Sequence, residues 1–162
     1  MNVFISGSIG INRLPKSATD KIDNIINQKM TVCIGDAKGA DLLVQKYLFE
    51  KQYENVIVYF AGSEIRNNVG NWQVKHIETN IIKKCRELYT VKDEVMAKDA
   101  DYGLMIWDGQ SKGTLNNIHN MKLANKRFFV ILDGMVIRDD NIDSLLSLSK
   151  QSAIQHSQLD LF

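Results

Sequence analysis

The chain has 162 residues, 44% of them hydrophobic, with one proline and a formal net charge of +1. That length predicts one domain with a self-sufficient core. The near-neutral charge speaks against a protein whose main task is coating DNA or an anionic membrane, although a local basic patch is compatible with it.

The first element is a short apolar strand, Val3–Ser6, ending at Gly7. MNVFISG has neither the basic start nor the long apolar run of a signal peptide. Pro15 stands where a helix can begin, and Ala18, Ile22, Ile25 and Ile26 follow at helical spacing. A second strand, Thr31–Ile34, ends in glycine; the next helix places Ala40, Leu43, Val44, Tyr47 and Leu48 on one face. Val56–Phe60 is the third strand, followed by the polar loop AGSEIRNNVGN. Trp72 would then open a helix with the stripe Val74, Ile77, Ile81, Cys85 and Leu88. Tyr102–Trp107 (YGLMIW) is continuously apolar and short, the mark of a parallel strand covered on both faces. Its helix carries Leu115, Ile118, Met121 and Ala124, and Phe128–Leu132 is the fifth strand.

Five strands alternating with helices predict an α/β fold, a Rossmann-like three-layer domain with a five-stranded mainly parallel sheet. The domain would span residues 1–137. Residues 138–162 would form a helical or extended tail packed on the same domain or on a partner, polar until Leu159–Phe162. No apolar run reaches the roughly 20 residues that cross a bilayer. Cys33 and Cys85 read as buried thiols without metal-type spacing, which suits a reducing cytoplasm. His76, His119 and His156 have no mutual ligand spacing, so neither metal nor cofactor is expected.

Three strand ends are rich in glycine and polar residues: GSIG, GDAKGAD and DGQSKGT. Glycine there serves either a tight turn or close approach to an anion. Three such loops at carboxyl ends of strands favour a common crevice. A helix opening at Lys112-Gly113-Thr114 offers backbone N–H groups and a positive dipole end to phosphate. The phosphate-loop pattern G-x-x-x-x-G-K-S/T and the dinucleotide G-x-G-x-x-G are both absent. Asp36 and Asp41 either face the crevice or cap the following helix. Lys112 is either a phosphate ligand or a solvated side chain, and Arg13 and Arg66, in the loops after the first and third strands, are either surface groups or side chains that swing toward an anion.

From about Val3 to Leu132, the order of GSIG, GDAKGAD and KDEVMAKDADYGLMIWDGQSKGT resembles the SLOG superfamily of Rossmann-like nucleotide-binding domains. That group includes YpsA-like proteins, LOG-type phosphoribohydrolases and DprA-type DNA-processing proteins. The resemblance implies a central first strand, flanked by the second and third on one side and the fourth and fifth on the other. It places Met96 on the LOG methionine, Lys92 and Asp93 on its Arg-Lys pair, and Gly113 and Thr114 on its Gly-Thr. The LOG glutamate falls on Asn117. Asparagine cannot ionise to stabilise an oxocarbenium-like sugar or activate water, so the phosphate cradle is kept in outline and the catalytic carboxylate is not.

The leading expectation is therefore binding of a nucleotide or phosphorylated nucleoside-derived ligand at the carboxyl edge of the sheet. Gly7, Ser8, Gly35, Asp36, Gly39, Asp108, Gly109, Ser111, Lys112, Gly113 and Thr114 would form the ligand site. The alternative is an N-glycosidic-bond hydrolase or transferase, LOG-like or deoxyribosyltransferase-like, using Asp36, Asp93 or Asp108. Single-stranded DNA binding stands third, disfavoured by the net charge. The expected partners are a nucleotide-like small molecule and further copies of the chain, with nucleic acid and membrane set aside.

Overall fold

The structure, a computed structural model, describes residues 1–80 and 85–147. Ile81, Leu148, His156 and Leu159–Phe162, which entered the reading above, lie outside the described residues.

Seven strands form one sheet: β1 (Asn2–Gly7), β2 (Thr31–Gly35), β3 (Val56–Ala61), β4 (Gln73–Ile77), β5 (Tyr102–Trp107), β6 (Arg127–Leu132) and β7 (Met135–Arg138). Their order is β4-β3-β2-β1-β5-β6-β7. All neighbours run parallel except β6 and β7. The helices are α1 (Lys16–Asn27), α2 (Ala40–Glu50), α3 (Arg86–Asp99) and α4 (Lys112–Leu123).

The sheet separates two apolar cores. Ala18, Ile22 and Ile25 of α1 and Val44 and Leu48 of α2 pack on Val3, Ile5, Val32, Ile34 and Ile106. Met96 and Ala97 of α3 and Ile118 and Met121 of α4 pack on Phe4, Cys33, Met105 and Val130 from the other face. Consecutive residues of one strand thus serve opposite layers, the arrangement a pleated strand buried on both sides requires.

The expected five strands are seven, and the inner five have the order that the resemblance implies. The stripe at Val74, Ile77, Ile81, Cys85 and Leu88 is not one helix. Gln73–Ile77 is an edge strand paired in parallel with Ile57–Ala61. Only Ile77 of this strand is buried; Val74 is 47% exposed. The three-residue spacing of Val74 and Ile77 imitates a helix, but pairing with β3 and a stack of His76 on Phe60, 4.6 Å between centroids, favour a strand. Trp72 therefore opens no helix. It is buried, and its Nε1–H donates to the Tyr53 carbonyl at 2.9 Å. Cys85 is half-buried at the N-cap of α3.

The other added strand, β7, closes a hairpin through Asp133 and Gly134, both at positive φ (49° and 75°), as a two-residue type I′ turn demands. After β7 and a 3-10 turn (Asp139–Asn141), residues 142–147 are helical. Ile142 is fully buried there, with Leu145 and Leu146 packed against the same core.

Candidate nucleic-acid interface

The chain steps outward from β1 to β4 and then returns through α3 to β5, beside β1. This switch in direction splays the connections apart at the carboxyl ends of β1 and β5, where ligands of such sheets bind. A crevice of about 500 Å³ lies there. The end of β1, the loop after β2, the β3–β4 loop, the first two turns of α3 and the start of α4 form its walls.

The start of α4 is built around one carboxylate. Asp108 Oδ1 accepts hydrogen bonds from the Gln110 and Ser111 amides at 2.9 and 2.8 Å, closing the loop after β5. Burial pushes its pKa up, but the N–H groups of Ser111 and Gln110 outweigh that push and hold it below its ordinary value. Ser111 Oγ caps the helix by accepting from the Thr114 amide at 3.3 Å. Ser8, fully buried, ties this loop to the first one: its Oγ accepts from the Asp108 amide at 3.0 Å and lies 3.2 Å from Thr114 Oγ1.

The second loop holds a buried carboxylate that fixes a cation from the β3–β4 loop. Asp36 is fully buried. It accepts from the Arg66 backbone N–H (3.0 Å), Nε (3.1 Å) and a terminal guanidinium nitrogen (2.5 Å). The guanidinium sits 4.3 Å from the Tyr89 ring centroid, a cation–π contact. Arg66 is thereby fixed at the crevice wall with 32% of its side chain still open to solvent.

The floor carries three ionisable groups. Lys92 is buried, with Nζ 3.3 Å from Asp93 Oδ1. Burial lowers its pKa, but Asp93, Asp41 and Asp36 more than compensate and keep it cationic. Asp41, 7% exposed on the first turn of α2, is pushed up to about 7 by burial, which the attraction of Lys92 only partly offsets. Beside them Asn117 is 2% exposed; its Nδ2 donates to Ser6 Oγ at 2.8 Å, and its Oδ1 has no hydrogen-bond partner among the described residues. An orphaned buried amide oxygen costs about 1–3 kcal/mol.

Of the residues expected to form the site, Gly7, Ser111, Lys112, Gly113, Thr114 and Asp93 line the crevice. Ser8, Gly35, Asp36, Gly39, Asp108 and Gly109 stand behind or beside its walls. Gly7 allows β1 to approach Ala40 and Ile106, where a Cβ would come within 2.5 Å of each. Gly39 has φ +76° and packs on the Ile9 backbone, a position closed to any side chain. Arg66, Arg86, Tyr89 and Thr90 also line the crevice, brought in by the β3–β4 loop and by α3. Helical spacing of Arg86, Tyr89, Thr90 and Asp93 was the available signal, and the misplaced start of α3 obscured it.

No protein-family model and no curated protein matches the chain. Among solved structures, it is similar to DNA processing protein A from Helicobacter pylori, a structure described for its single-stranded DNA binding mode. The TM-score is 0.64 at 14% identity, over 99% of this chain and 81% of that one. At that identity the likeness is one of fold, and it identifies the architecture as Rossmann-like. No helix among the described residues is long and apolar enough to cross a membrane. The likeness also corrects two expectations. A neighbour of this fold that binds single-stranded DNA overturns the reading of a small nucleotide ligand, with its N-glycosidase alternative, and the exclusion of nucleic acid as a partner. The exclusion failed physically because net charge sums the whole surface. The crevice alone gathers four cations, Arg66, Arg86, Lys92 and Lys112, against two carboxylates, Asp41 and Asp93.

Proposed function

We propose that this protein binds single-stranded nucleic acid through the crevice at the carboxyl ends of β1 and β5. The observation that carries the proposal is the Arg66–Tyr89 pair, held by Asp36 opposite the start of α4. A single strand needs cations along its backbone and a ring against which a base can stack. Arg66, Arg86 and Lys112 supply the first and Tyr89 the second. The residues Ser111 to Thr114 at the start of α4 take one phosphate. The free Oδ1 of Asn117 accepts a hydrogen bond from a base edge or sugar hydroxyl in the crevice. The DNA-binding neighbour of the same fold supports the polymer as ligand. On this reading the chain is a member of the SLOG superfamily acting in a reducing cytoplasm, with which its two free thiols accord.

The test is fluorescence anisotropy of a labelled oligo(dT) strand against protein over a range of salt. Three cations released from the strand's phosphates predict a slope of log K on log salt of about −2. Duplex DNA of equal length and thymidine monophosphate compete poorly. A flat salt dependence, or competition by the mononucleotide as strong as by the strand, refutes the proposal.

A further inference from the structure

We propose that the floor of the crevice is a base pocket that selects guanine in the bound strand. Lys92 Nζ donates to O6, Asp93 accepts from N1–H, and Asn117 Oδ1 accepts from the exocyclic 2-amino group. That a strand lies in the crevice rests on the function proposed above; the choice of guanine rests on the side chains of the floor.

Charge separates the floor of the crevice from its rim. Arg86 and Lys112 are exposed and Arg66 keeps 32% of its side chain open, so the phosphates of a strand meet these three first. On the floor two carboxylates, Asp41 and Asp93, face one buried ammonium, Lys92, whose Nζ lies 3.3 Å from Asp93 Oδ1. Asp41 supports Lys92 from the side of α2, its Oδ2 accepting from the Ala37 amide at 3.4 Å. Gly35 gives this cluster its room: a Cβ there would stand 2.4 Å from Asp41 Oδ2 and 2.5 Å from Lys92 Nζ. A phosphate gains little from an ammonium already ringed by carboxylates, whereas a neutral base edge bonds to the ammonium and to a carboxylate at once.

Asn117 decides which base. Its Nδ2 is committed to Ser6 Oγ at 2.8 Å, which leaves Oδ1, buried in the crevice wall and without a partner among the described residues, in need of a donor. The floor thus presents one donor, Lys92, and two acceptors, Asp93 and Asn117. A Watson–Crick edge that satisfies it carries one acceptor and two N–H groups. Guanine alone does so, with O6, N1–H and the 2-amino group. Thymine and uracil bring two carbonyls and one N–H, cytosine two acceptors and one amino group, adenine one of each. Every base but guanine leaves an acceptor of the floor unpaired, the condition under which a polar site discriminates strongly.

The experiment is fluorescence anisotropy of the full chain with a labelled oligo(dT) strand and with the same strand carrying dG, dA, deoxyinosine or ribouridine at its central position. One dG is expected to tighten binding by about tenfold or more over oligo(dT). Deoxyinosine, which lacks only the 2-amino group of dG, is expected to bind at least about fivefold more weakly than dG, and dA like dT. In Asn117→Ala the ratio of dG to deoxyinosine affinity is expected to fall to about one, because the partner of the 2-amino group is gone. A melting curve reports whether that variant is folded, and the wild-type comparison of dG with deoxyinosine tests the proposal without it. Equal binding of all the strands overturns the selection of guanine and leaves the crevice reading standing; no binding of any strand overturns both. Deoxyinosine bound as tightly as dG overturns the proposal. So does a gain from ribouridine equal to that from dG, which would assign Asn117 Oδ1 to a sugar hydroxyl, and so does competition by deoxyguanosine monophosphate as strong as by the strand.

Discussion

Replacing Arg66 by alanine strips a fully buried carboxylate of two of its three hydrogen bonds. Asp36 would keep the backbone N–H of residue 66 at 3.0 Å and lose both guanidinium contacts. Removing one partner of a fully buried ion pair costs about 3–5 kcal/mol. Here the retained N–H and the solvent access of Arg66 bring the expected loss to about 2–3 kcal/mol. For a domain of this size that is a fall of about 5–10 °C in melting temperature. Asp36→Asn should cost less, because the partly exposed guanidinium can rehydrate. The double variant should be more stable than Arg66→Ala, since no unpaired charge is left buried. Thermal and urea denaturation followed by circular dichroism measure all three, and oligo(dT) anisotropy reads the site in the same samples. The strand affinity of Arg66→Ala should fall about tenfold or more, through a lost phosphate contact and a Tyr89 ring no longer held in place. A loss of stability below about 0.5 kcal/mol, or additive losses in the double variant, would refute the argument that Asp36 exists to place Arg66.

Asp41 gives the pH dependence. Its folded pKa of about 7 lies above the ordinary carboxylate value of 3.8, so the folded state holds a proton that the unfolded chain releases. Stability therefore falls as pH rises from about 4 to about 7 and is level beyond, with a total of at most about 4 kcal/mol. Asp41→Asn should flatten that profile, melting higher than the wild type at pH 8 and alike at pH 4; a parallel profile would contradict it. Ser8→Ala orphans the Asp108 amide, and chemical denaturation should report a loss of about 1–2 kcal/mol. Tyr89→Ala should weaken oligo(dT) by about 1–3 kcal/mol while Tyr89→Phe stays near the wild type, since stacking needs the ring and not the hydroxyl; anisotropy titrations separate the two.

The inner sheet was legible because each of its strands is a short, continuously apolar run that must be covered on both faces. YGLMIW and FFVIL leave little else to be. The edges were not. Gln73–Ile77 has one buried residue, and its strand character comes from β3, not from its own pattern. The hairpin to β7 was legible in principle: Asp133-Gly134 between apolar runs is a type I′ signal. The site divides in the same way. Loops at strand ends announce themselves by glycine, serine and threonine. The contact between Asp36 and Arg66 joins positions thirty residues apart, and only the folded chain brings them together. Polar residues in those loops also proved ambiguous by sequence alone. Asp36, Asp108 and Ser8 form the framework that holds Arg66 and the start of α4, while Lys112 and Thr114 face the crevice.

Photo-crosslinking tests the central claim most directly. A single strand carrying 5-iododeoxyuridine is irradiated with the protein, and the adducts are mapped by mass spectrometry. Adducts on Tyr89 and on peptides spanning 86–93 and 111–117 are the predicted result. The opposite end of the sheet offers a rival surface, a groove of about 540 Å³ with Lys21, Arg127 and Arg138 beside Phe129. Adducts gathered there, with none at the crevice, would contradict the account.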